Sequence, residues 1–216
     1  MKRHNILLYI SALVIAMTGL SSCSENVDDE EEFKDWRKVN EQYYDNMYAS
    51  AKVLEELGDA DWKVLRNWSF EPTAASHPYD HVVVNVVNHG NGSGCPLYTD
   101  SVMVHYEGRL LPSPSYPEGY IFDQSFYGDY NPDTSTPSKL LVSNLVDGFT
   151  TALQHMHIGD RWKVYIPYQL AYGNVPAGAV PAYSTLVFDV TLVAYCRVGS
   201  SFPPFKAKKH PVWVYE

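Results

Sequence analysis

Between His81 and Cys196 the sequence alternates strand-forming runs with glycine- and proline-rich breaks, and one segment in it reads as a helix. "HVVVNVV" spans His81 to Val87 and gives way to "NHGNGSG", a turn with Gly90, Gly92 and Gly94. "SVMVHYEGRLL" sets Val102, Val104 and Tyr106 against Met103, His105 and Glu107, the period-two pattern of a half-buried strand. The proline-broken loop "PSPSYPEG" precedes "YIFDQS", and "RWKVYIP" and "STLVFDVTLVAYC" supply two more strands. The helical segment is "LVDGFTTALQHM". Many strands around one helix exclude a βαβ repeat and imply an α+β domain: an antiparallel sheet with the helix on one face.

Upstream, apolar residues recur as Phe33, Trp36, Tyr43, Tyr44, Met47, Ala51, Leu54 and Leu57. Steps of three, four and seven predict one helix with an apolar face, and Gly58 is a natural stop. An aromatic stripe has to be buried. Either the helix packs on its own domain, or it pairs with a second copy of the chain as a homodimer. The segment that follows, "KVLRNWSFEPTAASHPYD", reads as a transitional connector.

The N-terminus reads as an address. Lys2 and Arg3 precede an apolar segment from Ile6 to Met17, too short to span a bilayer comfortably and suited to a secretory signal. The closing Leu20-Ser21-Ser22-Cys23 resembles the lipobox of bacterial lipoproteins, which implies cleavage before Cys23 and lipid, palmitate included, on that residue. After it come seven acids between Glu25 and Asp35, a solvated tether. The run also resembles the acidic signal that sends some Bacteroidetes lipoproteins to the cell surface. The expected location is the cell envelope of a Gram-negative bacterium, on the outer membrane, facing the periplasm or the exterior. Losing residues 1–22 removes Lys2 and Arg3 and no acid, so the net charge of −9 becomes −11. No basic patch exists to neutralise phosphates, which argues against a nucleic-acid partner. The expected organisation is a signal peptide over 1–22, a tether over 23–32, helix and connector over 33–79, the sheet domain over 80–197 and a tail over 198–216.

The stretches "VHYEGRL", "FDQS", "VDGFTTALQHMHIGDRWKVYIPYQLAYG" and "VPAYSTLVFDVTL" resemble, in order and spacing, the FKBP-type peptidyl-prolyl cis–trans isomerases. The resemblance implies a five-stranded antiparallel sheet wrapped around a short helix, with an aromatic pocket between them. It implies a non-covalent reaction without cofactor, on proline-containing clients among exported proteins. It also implies weak binding of macrolides of the tacrolimus type. Rotation about X–Pro breaks amide resonance, against a barrier of about 18–20 kcal/mol, and needs no nucleophile.

Carried over residue by residue, the resemblance makes Tyr106 one wall and takes Phe122 and Asp123 from "FDQS". Leu145 and Val146 precede the helix, with the Val146 N–H holding the substrate carbonyl. Phe149 is the floor, Tyr172 supplies a hydroxyl, Val180 borders the mouth and Phe188 completes the lining. Asp123 would act electrostatically, orienting Tyr106 or facing the twisted carbonyl. Phe149 stands where the family most often has Trp, Pro181-Ala182 where it usually has Pro-Pro, and no arginine follows "FDQS" closely. These departures favour an alternative to an enzyme, a module that holds proline segments without turning them over; a third reading is an envelope chaperone in which the Phe33–Leu57 helix binds the client. The family topology brings Cys95 and Cys196 near each other, which implies a disulfide; two separate thiols are the other reading. His155 and His157 form a His-x-His pair with no third ligand suggested nearby, so no metal site is expected.

Overall fold

The computed structural model describes residues 31–128, 130–131 and 134–202. The chain divides into two compact units, 1–34 and 35–216, and the strands and helices that follow lie in the second. Cys23, the signal segment, most of the tether and residues 203–216 lie outside the described residues.

Helix α1 runs Trp36–Glu56. It starts later than the apolar stripe because Asp35, just before it, takes a left-handed conformation (φ 54°). It stops at Gly58 (φ 83°). There the N–H groups of Gly58 and Asp59 donate to the carbonyls of Glu55 and Leu54, a Schellman closure of the last turn. Tyr44 and Ala51, with Tyr43, Met47 and Tyr48 around them, pack on Val64, Val83, Tyr165 and Val187 of the sheet. Each large side chain buried this way contributes about 1.5–3 kcal/mol. The Tyr44 hydroxyl donates to the His81 carbonyl (2.7 Å), so the polar end of the deepest ring is satisfied as well. The face that would have seated a second copy is therefore occupied by the chain's own sheet. Leu57, the last residue of the predicted stripe, is 78% exposed and takes no part in it.

The sheet has seven strands: β1 (Trp62–Arg66), β2 (His81–Asn88), β3 (Ser101–Arg109), β4 (Ile121–Gln124), β5 (Ser138–Leu141), β6 (Arg161–Ile166) and β7 (Leu186–Cys196). Their order is β1-β2-β6-β7-β3-β4, with β5 also on β3, and every pairing is antiparallel. Two differences separate this from five strands. β4 and β5 are two pieces of one edge on β3, beside residues 107–109 and 101–104. β1 is an added edge strand, read above as connector. Trp62 and Val64 alternate with Lys63 and pack under α1, and only β2 and α1 together give that short run its partners.

Helix α2 (Asp147–Leu153) covers the opposite face. Phe149 through Leu153 are buried, and Gly148 lies so close to Ile166 that a side chain there would collide with it. The core therefore has two layers, α2 with Val84, Val104, Val164 and Val190 on one side and α1 with Val83 and Tyr165 on the other. The period-two geometry of a strand makes this division.

Candidate active site

β3 brings Tyr106 to the α2 face, and register places it opposite Val190, with Gly108 opposite Phe188 two residues on. Phe188 is the hub. It stacks on Phe149 (centroids 4.6 Å, 18°), meets Phe122 edge-on (5.5 Å, 87°) and lies 6.2 Å from Tyr106. Tyr106 in turn meets Phe149 edge-on at 6.2 Å. Such offset and edge arrangements are the favourable ones for aromatic quadrupoles. The rings close up because Gly108 has no side chain; a Cβ there would stand 2.7 Å from both Phe122 Cζ and Phe188 Cε1.

The Tyr106 hydroxyl donates to Asp123 Oδ2 at 2.9 Å. Burial, then this bond and the carboxylate's charge, push the Tyr106 hydroxyl well above its ordinary pKa. Burial and the charge of Asp123 push Tyr172 up as well. Both hydroxyls are neutral donors at physiological pH. Asp123 thereby orients the Tyr106 ring. Ser125 clasps the Tyr106 backbone: its Oγ accepts from the Tyr106 N–H (2.8 Å), and its own N–H donates to the Tyr106 carbonyl (2.9 Å). Gly108 and Ser125 stand inside or beside motifs quoted above, yet sequence reasoning missed both as site residues. A glycine in a strand interior signals close approach and could have flagged the first.

Val146 caps α2 in an extended conformation (φ −62°, ψ 147°), and its carbonyl accepts from Phe149 and Thr150. Its N–H has no acceptor among the described residues, and neither does the half-exposed Tyr172 hydroxyl. Leu145 precedes it with its N–H on the Val142 carbonyl. Val180 is buried in a tight turn closed by paired backbone bonds with Ala177. The predicted set thus divides into five side chains linked by ring contacts and one hydrogen bond (Tyr106, Phe122, Asp123, Phe149, Phe188), a hydroxyl sensing Asp123 (Tyr172), and three residues, Leu145, Val146 and Val180, whose described bonds are local backbone ones.

The implied disulfide is not formed: both thiols are free. Cys95 Sγ lies 3.8 Å from His157 Nε2, while Cys196 is buried with its sulfur 3.9 Å from the Ser200 carbonyl. The two ends do approach, but Arg197 joins them, donating to the Cys95 carbonyl and pairing with the Asp100 carboxylate. His155 and His157 bond to different partners. The first bonds the Thr151 carbonyl at 2.8 Å, and the second faces Cys95 and Asp160.

A family model described as FKBP-type peptidyl-prolyl cis-trans isomerase matches residues 95–193. Over those residues the chain is similar to this family. The FKBP-type 22 kDa peptidyl-prolyl cis-trans isomerase of Escherichia coli is 38% identical over 109 residues, 50% of this chain and 47% of that protein. The macrophage infectivity potentiator of Trypanosoma cruzi is 36% identical over 125 residues, 57% of each chain. The crystal structure of FkpA from Escherichia coli aligns with a TM-score of 0.46 at 24% identity, covering 87% of this chain and 80% of that one. The chain spans about half the length of the curated relatives it matches. Within the matched residues, Phe149 stacks nearly flat on Phe188.

Proposed function

We propose that this protein is a peptidyl-prolyl cis–trans isomerase acting on X–Pro bonds of exported polypeptides. The observation that carries the reading is the cluster of Phe122, Phe149 and Phe188 beside two donors without acceptors, the Val146 N–H and the Tyr172 hydroxyl. An amide twisted out of plane loses resonance and charge separation, so apolar aromatic walls favour it over the planar ground state. A donor held where the substrate carbonyl sits fixes one side of the bond while the prolyl ring turns against the rings. That is differential binding of the transition state, and since no covalent bond forms or breaks it calls for neither base nor nucleophile. The Tyr106–Asp123 bond keeps one wall rigid.

The test follows cis–trans exchange of Ala-Xaa-Pro-Phe peptides by NMR with the full chain. Asp123→Ala removes the carboxylate that holds Tyr106 and is expected to slow catalysed exchange by about tenfold, as is loss of a charged hydrogen bond. Tyr172→Phe removes one neutral donor and should cost about fivefold. A tacrolimus-type macrolide added at high micromolar concentration should suppress exchange by competing for the same rings. Peptide line broadening without faster exchange would instead make the domain a binding module.

The same proposal places the protein on the outer membrane through lipid on Cys23, with the acidic run as tether. The lipobox-like Leu20-Ser21-Ser22-Cys23 supports this. Cells fed labelled palmitate should incorporate it into the wild-type chain and not into Cys23→Ser; equal labelling of both would end the anchoring claim.

A further inference from the structure

The segment from Tyr168 to Thr185 carries Tyr172 and Val180, and nearly every polar tie that fixes its two ends leads to the first two turns of α1. Trp36 Nε1 donates to Ser184 Oγ at 2.8 Å in a buried bond, and Ser184 Oγ in turn donates to the Pro181 carbonyl (2.7 Å), next to Val180. Asn40 is fully buried. Its Oδ1 accepts the Thr185 N–H at 2.7 Å, while its Nδ2 donates back to the Trp36 carbonyl (2.8 Å). At the other end the Tyr168 hydroxyl donates to Glu41 Oε1 (2.9 Å), and Arg37 donates to the same oxygen (2.9 Å).

Between these ends the segment is tied to itself. The Gly173 N–H donates to the Tyr168 carbonyl (2.8 Å) and the Tyr183 N–H to the Gly173 carbonyl (2.9 Å), so Tyr172 sits inside a closed frame. Tyr183 holds a left-handed conformation (φ 63°) that a non-glycine residue keeps only when its surroundings impose it. Its ring lies under the Arg37 guanidinium (4.9 Å) and against Tyr168 (5.2 Å, 81°). A buried asparagine in a helix is unfavourable unless its amide is used, and here both of its polar atoms are used.

We propose that Trp36, Asn40 and Glu41 are positioning residues for the segment that carries Tyr172 and Val180, so that the upstream helix is a structural part of the isomerase site. None of the three touches the ring cluster or Asp123 in the structure; they act through Thr185, Ser184 and Tyr168. The catalytic consequence rests on the isomerase reading, whereas the ordering of the segment does not.

Two readouts on the full chain separate these. Amide hydrogen exchange over residues 172–185 reports order, and kcat and KM for proline-peptide isomerisation report the site. Trp36→Phe keeps the ring and loses the donor; Asn40→Leu keeps the volume and loses the acceptor for Thr185. Both are expected to speed exchange in this segment on the order of tenfold, as suits a lost buried hydrogen bond. Turnover should fall by a similar factor, while Glu41→Gln, which retains an acceptor for Tyr168, should stay within about twofold of wild type. Ala51→Gly, in the fifth turn of α1 and buried against the sheet, is the control. It loosens the helix far from the segment and should leave kcat/KM unchanged. The proposal is overturned if exchange over 172–185 is unaltered in Trp36→Phe and Asn40→Leu, or if Ala51→Gly lowers turnover as much as they do. If the wild-type chain itself does not accelerate exchange, the isomerase reading fails. The positioning claim is then decided by segment exchange and by peptide affinity from NMR titration, with the same ranking of variants expected.

Discussion

Gly108 does for the ring cluster what no side chain could. Phe122 and Phe188 occupy the space above it, and a methyl group would have to displace one of them. Gly108→Ala is expected to cost about 1–3 kcal/mol, the usual penalty of an overfilled core, and to spread Phe188 away from Phe149. Urea denaturation should record the first and isomerisation of an Ala-Leu-Pro-Phe peptide the second; a variant as stable and active as wild type would show that the rings are free to shift. Single residues were also where the sequence spoke most unevenly. Tyr106, Phe122, Phe149 and Phe188 were legible through their motifs, and the structure gathers them. Ser125 was not, because its role depends on β4 running back along β3 in the register that sets the residue after Gln124 against Tyr106, which spacing alone does not reveal. The cysteines misled in a similar way: strand pairing brought their neighbourhoods together, but side-chain direction sent the sulfurs to different partners.

Among the elements, α1 was readable in period and in its stop but not in its destination. A stripe of aromatics states that something must cover it and does not say what. β2, β6 and β7 do so through Val83, Tyr165 and Val187, together with β1, whose five residues have no identity as a strand until β2 lies beside them. The stop itself can be tested. Gly58 has open space around its α-carbon, so Gly58→Ala meets no clash and only the left-handed backbone is strained. The expected loss is about 1–2 kcal/mol, read as a melting temperature lower by about 2–8 °C with isomerisation unchanged. A variant that melts with wild type would mean that the helix ends elsewhere at little cost.

The whole molecule should show stability limits at both ends of the pH scale, each with an identifiable cause. His105 is 3% exposed and its Nδ1 has no hydrogen-bond partner among the described residues. Burial lowers its pKa, so the folded state disfavours the imidazolium. The unfolded chain then binds the proton more readily, and stability is complete above about pH 6.5 and falls as pH drops below it. At the alkaline end, burial raises Tyr43 to about 12 and Tyr44 and Tyr106 upward as well. Their contribution is intact below about pH 10, the unfolded value, and is lost as pH climbs through the folded one. Urea midpoints should therefore be flat near neutrality and decline on either side. His105→Gln should flatten the acid limb; an unchanged acid limb in that variant would exonerate His105.

β7 occupies the middle of the sheet, hydrogen-bonded to β6 on one flank and β3 on the other, and is the last of the described strands in chain order. Until it arrives, the nascent sheet exists as two separate ribbons, each with a bare inner edge of unpaired backbone groups. Residues 184 and 185, which the first turns of α1 await, emerge just ahead of it. A ribosome or translocon releasing this chain therefore delivers the keystone last. Interruption before Leu186 would leave two sticky half-sheets rather than a smaller version of the domain.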